Sequence, residues 1–111
     1  MVNFLSETLS VLRREEIPVD DVAYVFLDDG IRCFWEDFAK AANEIYYDNG
    51  FGRVEINPSL MIVGFDWWLE RREYDGSEWW EYCEAPHCDN GKIITDTKLL
   101  CGYLRPREEE E

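Results

Sequence analysis

The chain reads as a single α+β domain, in which an antiparallel sheet of about five strands packs against one or two helices and a tryptophan-rich β-hairpin is central. Three observations lead there. Trp67-Trp68 and Trp79-Trp80 flank an Asp75-Gly76 turn, a strong short-range hairpin signal. Val22 to Leu27 and Leu60 to Val63 are apolar runs of strand length. Phe4 to Glu16 and Trp35 to Tyr47 repeat apolar residues at helical spacing. With 111 residues the chain has room for one domain, assigned to residues 1–104. A chain of this size buries about 65% of its unfolded surface, enough for one core.

The first helix carries Leu5, Leu9 and Leu12 on one stripe, with Asn3 as its N-cap and Pro18 beyond its end. Asp28-Asp29-Gly30 turns the Val22–Leu27 strand back into Ile31-Arg32-Cys33-Phe34. The second helix places Trp35, Phe38, Ala42 and Ile45 on one face, with Asn49-Gly50 as a left-handed C-cap. Phe51 to Ile56 reads as part loop and part short strand, and Asn57-Pro58 breaks it. Leu60 to Val63 is continuous in apolar character, which predicts a buried central strand. Beyond the hairpin, Ala85 to Gly91 is a loop, Lys92 to Thr95 an edge strand, and Lys98 to Leu104 a short apolar stretch. Residues 105–111, ending in four glutamates, form an acidic solvated tail. The predicted core is Leu5, Leu9, Leu12, Val25, Leu27, Trp35, Phe38, Ala42, Ile45, Ile62 and part of the tryptophan set.

Two hairpin registers compete. A two-residue loop at Asp75-Gly76 sets Glu73 opposite Glu78 and Glu70 opposite Glu81, and like charges directly opposed are destabilising. A three-residue loop with Gly76 as a G1 bulge pairs Arg72 with Glu78, Arg71 with Trp79, Trp68 with Tyr82 and Trp67 with Cys83. The second register is preferred on charge. Adjacent strand residues point to opposite faces, so one tryptophan of each pair is assigned to the core and the other to a partly exposed position.

The charge excludes several function classes. Twenty-five acidic against eleven basic residues leave a net charge of −14. Such a chain is repelled by DNA, RNA and anionic membranes, so no direct nucleic-acid or membrane binding is expected, and its natural macromolecular partner is a basic protein. No apolar run is long enough for a membrane span, and the N-terminus lacks a secretory signal pattern. The reading is a cytoplasmic protein whose four cysteines are reduced.

Three chemistries are open to these residue types. Cys83, His87, Cys88 and distant Cys101 supply zinc-ligand types, but no C-x-x-C knuckle is present, and four unrelated thiols is the simpler account. His87, the one histidine, lacks a recognisable orienting group to serve a nucleophilic thiol. Paired carboxylates such as Asp20-Asp21 and Glu36-Asp37 arise by chance among 25 acids. No catalytic residue, metal or cofactor is therefore assigned. The tryptophan hairpin and the acidic outer face of the second helix remain as a candidate surface: Trp68, Glu70, Arg72, Glu78 and Trp80, with Glu36, Asp37 and Glu44. Trp, Tyr and Arg dominate interface hot spots.

The segments VAYVFLDDG, FWEDFAKAANEIYYDNGFG and DWWLERREYDGSEWWEYCEAP resemble small, uncharacterised proteins encoded by bacteriophages and related mobile elements. The resemblance covers roughly residues 5–86 and is most specific over WWLE-R-EYDGSEWWE. It implies an accessory protein acting in a bacterial cytoplasm, with no activity or functional residue to carry over. The expectation is a non-enzymatic interaction protein that blocks a basic nucleic-acid-binding partner. The alternatives are a phage accessory or assembly protein whose acidity serves solubility, and a small metal-binding domain or hydrolase.

Overall fold

A computed structural model describes residues 1–28, 30–50 and 52–86. The elements follow in order as β1 (Val2–Asn3), α1 (Phe4–Arg14), a 3-10 turn (Val19–Asp21), β2 (Tyr24–Phe26), β3 (Arg32–Cys33), α2 (Trp35–Ala42), β4 (Tyr46–Tyr47), β5 (Met61–Val63), β6 (Trp67–Tyr74) and β7 (Ser77–Glu84). The main sheet has five strands in the order β3-β2-β5-β6-β7, every pairing antiparallel. β1 and β4 form a separate two-stranded ribbon. The fold is α+β, with β5 at the centre of the sheet and the hairpin β6-β7 forming one side of it.

α1 begins where the Asn3 side chain accepts a hydrogen bond from the Ser6 amide at 2.9 Å, which satisfies one of the helix's orphan donors. It ends two residues earlier than the spacing predicted. Glu16 turns left-handed at φ 60, its amide donates to the Arg13 carbonyl, and the Ile17 amide donates to that of Leu12. These two bonds close the helix as a Schellman motif. The buried stripe is Phe4, Thr8, Val11 and Leu12; of the predicted stripe Leu12 is buried, whereas Leu5 and Leu9 are only half-buried and Leu5 packs at the border.

α2 is shorter than expected. The amides of Glu44 and Ile45 donate to the carbonyls of Ala41 and Ala42, tightening the last turn to 3-10 pitch. The chain then runs extended, because Ile45-Tyr46-Tyr47 is a β-favouring run that finds a partner in β1. The Phe4 amide donates to the Ile45 carbonyl at 2.9 Å, locking the ribbon to the first turn of α1. This change of structure carries Tyr47 into the core at 1% exposure and leaves Ile45 exposed. Phe51–Ile56 holds no strand among its described residues, and Asn49-Gly50 lies past β4, not at a helix end. Asp29, Phe51 and the expectations placed beyond Pro86 (the Lys92–Thr95 strand, the Lys98–Leu104 stretch and the acidic tail) lie outside the described residues.

The hairpin takes the two-residue loop, which corrects the preferred register. Tyr74 pairs with Ser77, Arg72 with Trp79, Arg71 with Trp80, Trp68 with Cys83 and Trp67 with Glu84. Asp75 and Gly76 adopt φ 54 and φ 88, the doubly left-handed turn whose twist matches the flanking strands. Local donors or solvent offset the repulsion between the opposed glutamates. Glu78 is buried against Arg71, whereas Glu73 is exposed. Glu70 is held by Arg72, Trp68 and Cys83, whereas Glu81 accepts from Trp79. A Cβ on Gly76 would stand 2.7 Å from the Gly52 carbonyl oxygen. Gly76→Ala is therefore expected to cost about 1–3 kcal/mol, combining left-handed strain with displacement of the neighbouring loop. Thermal melting checks this; an unchanged midpoint would contradict the turn geometry.

Both helices cover one face of the sheet. Phe4, Val11, Leu12, Phe38 and Ala42 from the helices meet Val25, Ile62, Trp67, Leu69 and Trp80 from the strands. The Phe4 ring stacks on Trp80 at a centroid distance of 5.7 Å and an interplanar angle of 12°. Phe38 and Tyr47 approach Phe4 edge-on. Pairing register assigns Tyr24, Phe26, Met61, Val63 and Trp68 to the opposite, outer face, where all are half-buried. Each tryptophan pair therefore splits as expected, with Trp67 and Trp80 inside and Trp68 and Trp79 outside.

Candidate functional site

The most concentrated polar chemistry lies inside the protein, where α1, β4, β6 and β7 meet. Arg71 projects from β6 into the helix-covered face, with only 2% of its side chain exposed. Its Nη2 donates to Glu78 Oε1 at 2.9 Å and to the Tyr47 hydroxyl at 3.1 Å. The Tyr47 hydroxyl in turn donates to the Glu7 carboxylate, which lies 4.0 Å from Arg71 Nη1. Nε and Nη1 of Arg71 have no hydrogen-bond partner among the described residues. Aromatic faces surround the guanidinium instead: its carbon lies 4.8 Å from the Trp80 centroid, 5.4 Å from Phe4 and 5.9 Å from Tyr47. Burial and the bond to Glu7 push the Tyr47 phenol well above its ordinary range.

Glu78 extends this network into the 48–57 loop. Its carboxylate accepts from the Glu55 amide at 2.7 Å and the Ile56 amide at 3.3 Å, and its own amide donates to the Asn49 carbonyl. One buried carboxylate thus neutralises an arginine and anchors a neighbouring loop. Thr8 adds a further polar link, accepting from Trp80 Nε1 at 2.9 Å while donating to the Phe4 carbonyl. Tyr47, Arg71 and Glu78 are buried and Glu7 lies at the margin of the network, an arrangement of a rigid polar core.

The predicted surface residues divide. Trp68, Glu70 and Arg72 are brought together on the outer face of β6: Trp68 Nε1 donates to Glu70 at 3.2 Å and Arg72 lies 3.5 Å from it. Glu78 and Trp80, each 2% exposed, belong to the interior and drop out of the candidate surface. The parity change that follows from the two-residue loop is the physical reason. Trp79, 37% exposed, takes the place assigned to Trp80. Glu36 and Asp37 are exposed in the first turn of α2 and Glu44 is exposed just past its end, apart from the Trp68 cluster and on the helical side of the sheet. The interior residues that pattern reading missed are Glu7, Thr8, Tyr47 and Arg71. One signal existed: Arg71 follows Trp67 and Leu69 at strand period two, a charge in a core-facing row.

Cysteine chemistry is disfavoured on the described surface. Cys83 donates to Glu70 at 3.0 Å, and burial together with that carboxylate pushes its thiol up to about 11. Burial, with Asp37 nearby, likewise raises the Cys33 thiol. Both are protonated at neutral pH, the unreactive form. The Cys83 and Trp68 donors hold Glu70 below the usual carboxylate range. His87 and Cys88, the companions of Cys83 in the weak zinc candidate, lie outside the described residues, as does Cys101. Among the described residues no three His, Cys, Asp or Glu side chains are grouped to hold a metal ion, and no helix is long and apolar enough to cross a membrane.

Fold and surface together define a small α+β protein with helices on one sheet face and an aromatic, mixed-charge surface on the other. Set against known proteins, the chain matches no family model, no curated protein and no solved structure.

Proposed function

We propose that this chain is a non-enzymatic, acidic interaction protein of phage or mobile-element origin, which binds a basic protein in the bacterial cytoplasm and blocks its nucleic-acid-binding surface. The observation that carries the reading is unneutralised surface charge. Asp20, Asp21, Glu36, Asp37 and Glu44 are exposed, and among the described residues none lies within ion-pairing distance of a basic side chain. A net charge of −14 then projects a field that speeds encounter with cationic surfaces and fades with salt. Strand register supports local clustering. Val25 pairs with Cys33, so the start of α2 and the 3-10 turn before β2 fall at the same end of that strand pair.

Capture from a bacterial lysate on the immobilised full chain tests this. The expected catch is nucleic-acid-binding proteins that elute when salt rises from about 0.05 to 0.5 M, as screening shortens the Debye length severalfold. Duplex DNA should also displace them. A catch no more basic than that of bare resin, or one indifferent to DNA, would sink the reading. Acidic residues also occur on the hairpin, at Glu73, Asp75, Glu81 and Glu84. That spread favours the second reading, an accessory or assembly protein kept soluble by its charge. Under it the captured partner survives high salt.

A further inference from the structure

Among the described asparagines, Asn3, Asn43, Asn49 and Asn57, position 49 stands apart. Asn3 commits its side chain twice, accepting from the Ser6 amide at 2.9 Å and donating to the Asn43 carbonyl at 3.0 Å. Asn57 accepts from Ser59, and the residue after it is Pro58, which has no amide N–H. Asn43 precedes Glu44, whose amide is held by the Ala41 carbonyl at 3.1 Å. Of the four only Asn49 precedes a glycine, and its side-chain amide has no hydrogen-bond partner among the described residues.

The covalent chain sets the Gly50 amide nitrogen where it can close a succinimide ring with the Asn49 side-chain carbon, and glycine brings no Cβ to hinder the approach. The Gly50 N–H donates to Asp48 Oδ1 at 3.0 Å. A hydrogen bond to a carboxylate draws the proton from the nitrogen and makes that nitrogen more nucleophilic. Asp48, Asn49 and Gly50 follow β4, outside helix and strand, and are only half-buried, so water reaches them.

We infer that Asn49-Gly50 is a self-modifying site that releases the loop clamped by Glu78. The Gly50 nitrogen bonds to Asn49 Cγ, the Cγ–Nδ2 bond breaks, and ammonia leaves with the proton that Asp48 takes from the Gly50 amide. Water then opens the succinimide at one of its two carbonyls, leaving aspartate or isoaspartate at position 49. Isoaspartate routes the main chain through the former side-chain carbon, which lengthens it, and frees the old main-chain carbonyl as a carboxylate. That carbonyl is the acceptor of the Glu78 amide at 2.9 Å. The Glu78 carboxylate meanwhile holds the Glu55 and Ile56 amides at 2.7 and 3.3 Å. One residue of β7 thus clamps both ends of the loop. A longer chain between the two attachments, with a new negative charge at the first, loosens the clamp.

The test incubates the full chain in neutral buffer and follows position 49 by peptide mapping with electron-transfer fragmentation. That readout separates isoaspartate from aspartate and keeps the site apart from the second such pair, Asn90-Gly91. Steady conversion at position 49 is expected, with isoaspartate as the main product. Gly50→Ala should slow it about ten-fold, an added barrier of about 1.4 kcal/mol. The fold accepts that variant, because its Cβ meets only Asp48 Oδ1, at 3.8 Å, and Gly50 has no left-handed φ. Asp48→Asn, which keeps an acceptor and removes the charge, should slow conversion severalfold. Ile62→Ala destabilises the centre of the sheet, away from this loop, and should leave the rate unchanged. Amide hydrogen exchange at Glu55, Ile56 and Glu78 should quicken in the converted chain. An unmodified position 49 after position 90 has converted would overturn the site. So would a many-fold faster Ile62→Ala chain, which would place the reaction in the unfolded protein. An unchanged rate in Asp48→Asn would overturn the part given to Asp48, and unchanged exchange after conversion would overturn the release of the loop.

Discussion

Glu78→Ala is expected to lower the unfolding free energy by about 3–5 kcal/mol, because removing one partner of a buried ion pair leaves the other charge uncompensated. Arg71 would keep only the Tyr47 hydroxyl and the 4.0 Å contact with Glu7, and it already has two guanidinium nitrogens without hydrogen bonds. The amides of Glu55 and Ile56 would lose their acceptor in the same step, so the 48–57 loop should loosen as well. For a domain of this size the melting temperature should fall by roughly 15–25 °C. The double change Arg71→Met with Glu78→Leu should recover much of that loss, since apolar replacements of a buried pair are often neutral. Urea denaturation of the three proteins checks both statements. A Glu78→Ala loss below about 1 kcal/mol would mean that water reaches the pair and that the network is not a dry one.

Phe4→Ala is expected to cost about 3–5 kcal/mol, the usual range for deleting a buried aromatic ring. Phe4 is 1% exposed and touches four groups at once: Trp80 face to face, Phe38 and Tyr47 by their edges, and the Arg71 guanidinium over its ring. Its loss removes apolar contact and also one wall of the arginine's aromatic enclosure. Phe65→Ala makes the internal comparison. Phe65 is 98% exposed, and its removal should stay within about 0.5 kcal/mol. Calorimetry of both variants, with near-UV circular dichroism to follow the stacked Trp80, decides the matter; similar midpoints for the two would refute the assigned core.

How much of this was legible beforehand differs by feature. The start of α1 was readable because the Asn3 cap is a local hydrogen bond between near neighbours. The β2-β3 hairpin and the central position of β5 were readable because turn residues and continuous apolar runs are local signals. The end of α2 was not. Trp35 to Tyr47 holds helical spacing throughout, and only the distant β1 strand, pairing Val2 with Tyr47, draws the last residues out of the helix. The candidate surface failed at Glu78 and Trp80 for a related reason. Charge pairing within the hairpin favoured the three-residue loop, but the cost of opposing glutamates was met by groups elsewhere: Arg71 and two loop amides for Glu78, and Cys83 with Trp68 for Glu70.

By itself the amino-acid order determined the α+β class, the hairpin with one tryptophan of each pair inside, and the strong negative charge, since each follows from periodicity, turn chemistry or composition. Tertiary structure alone decided the hairpin's parity and the buried Glu7–Tyr47–Arg71–Glu78 network. Those depend on which long-range partner satisfies a polar group once water is excluded, and a one-residue choice at the turn exchanges the inner and outer faces of β7 relative to β6.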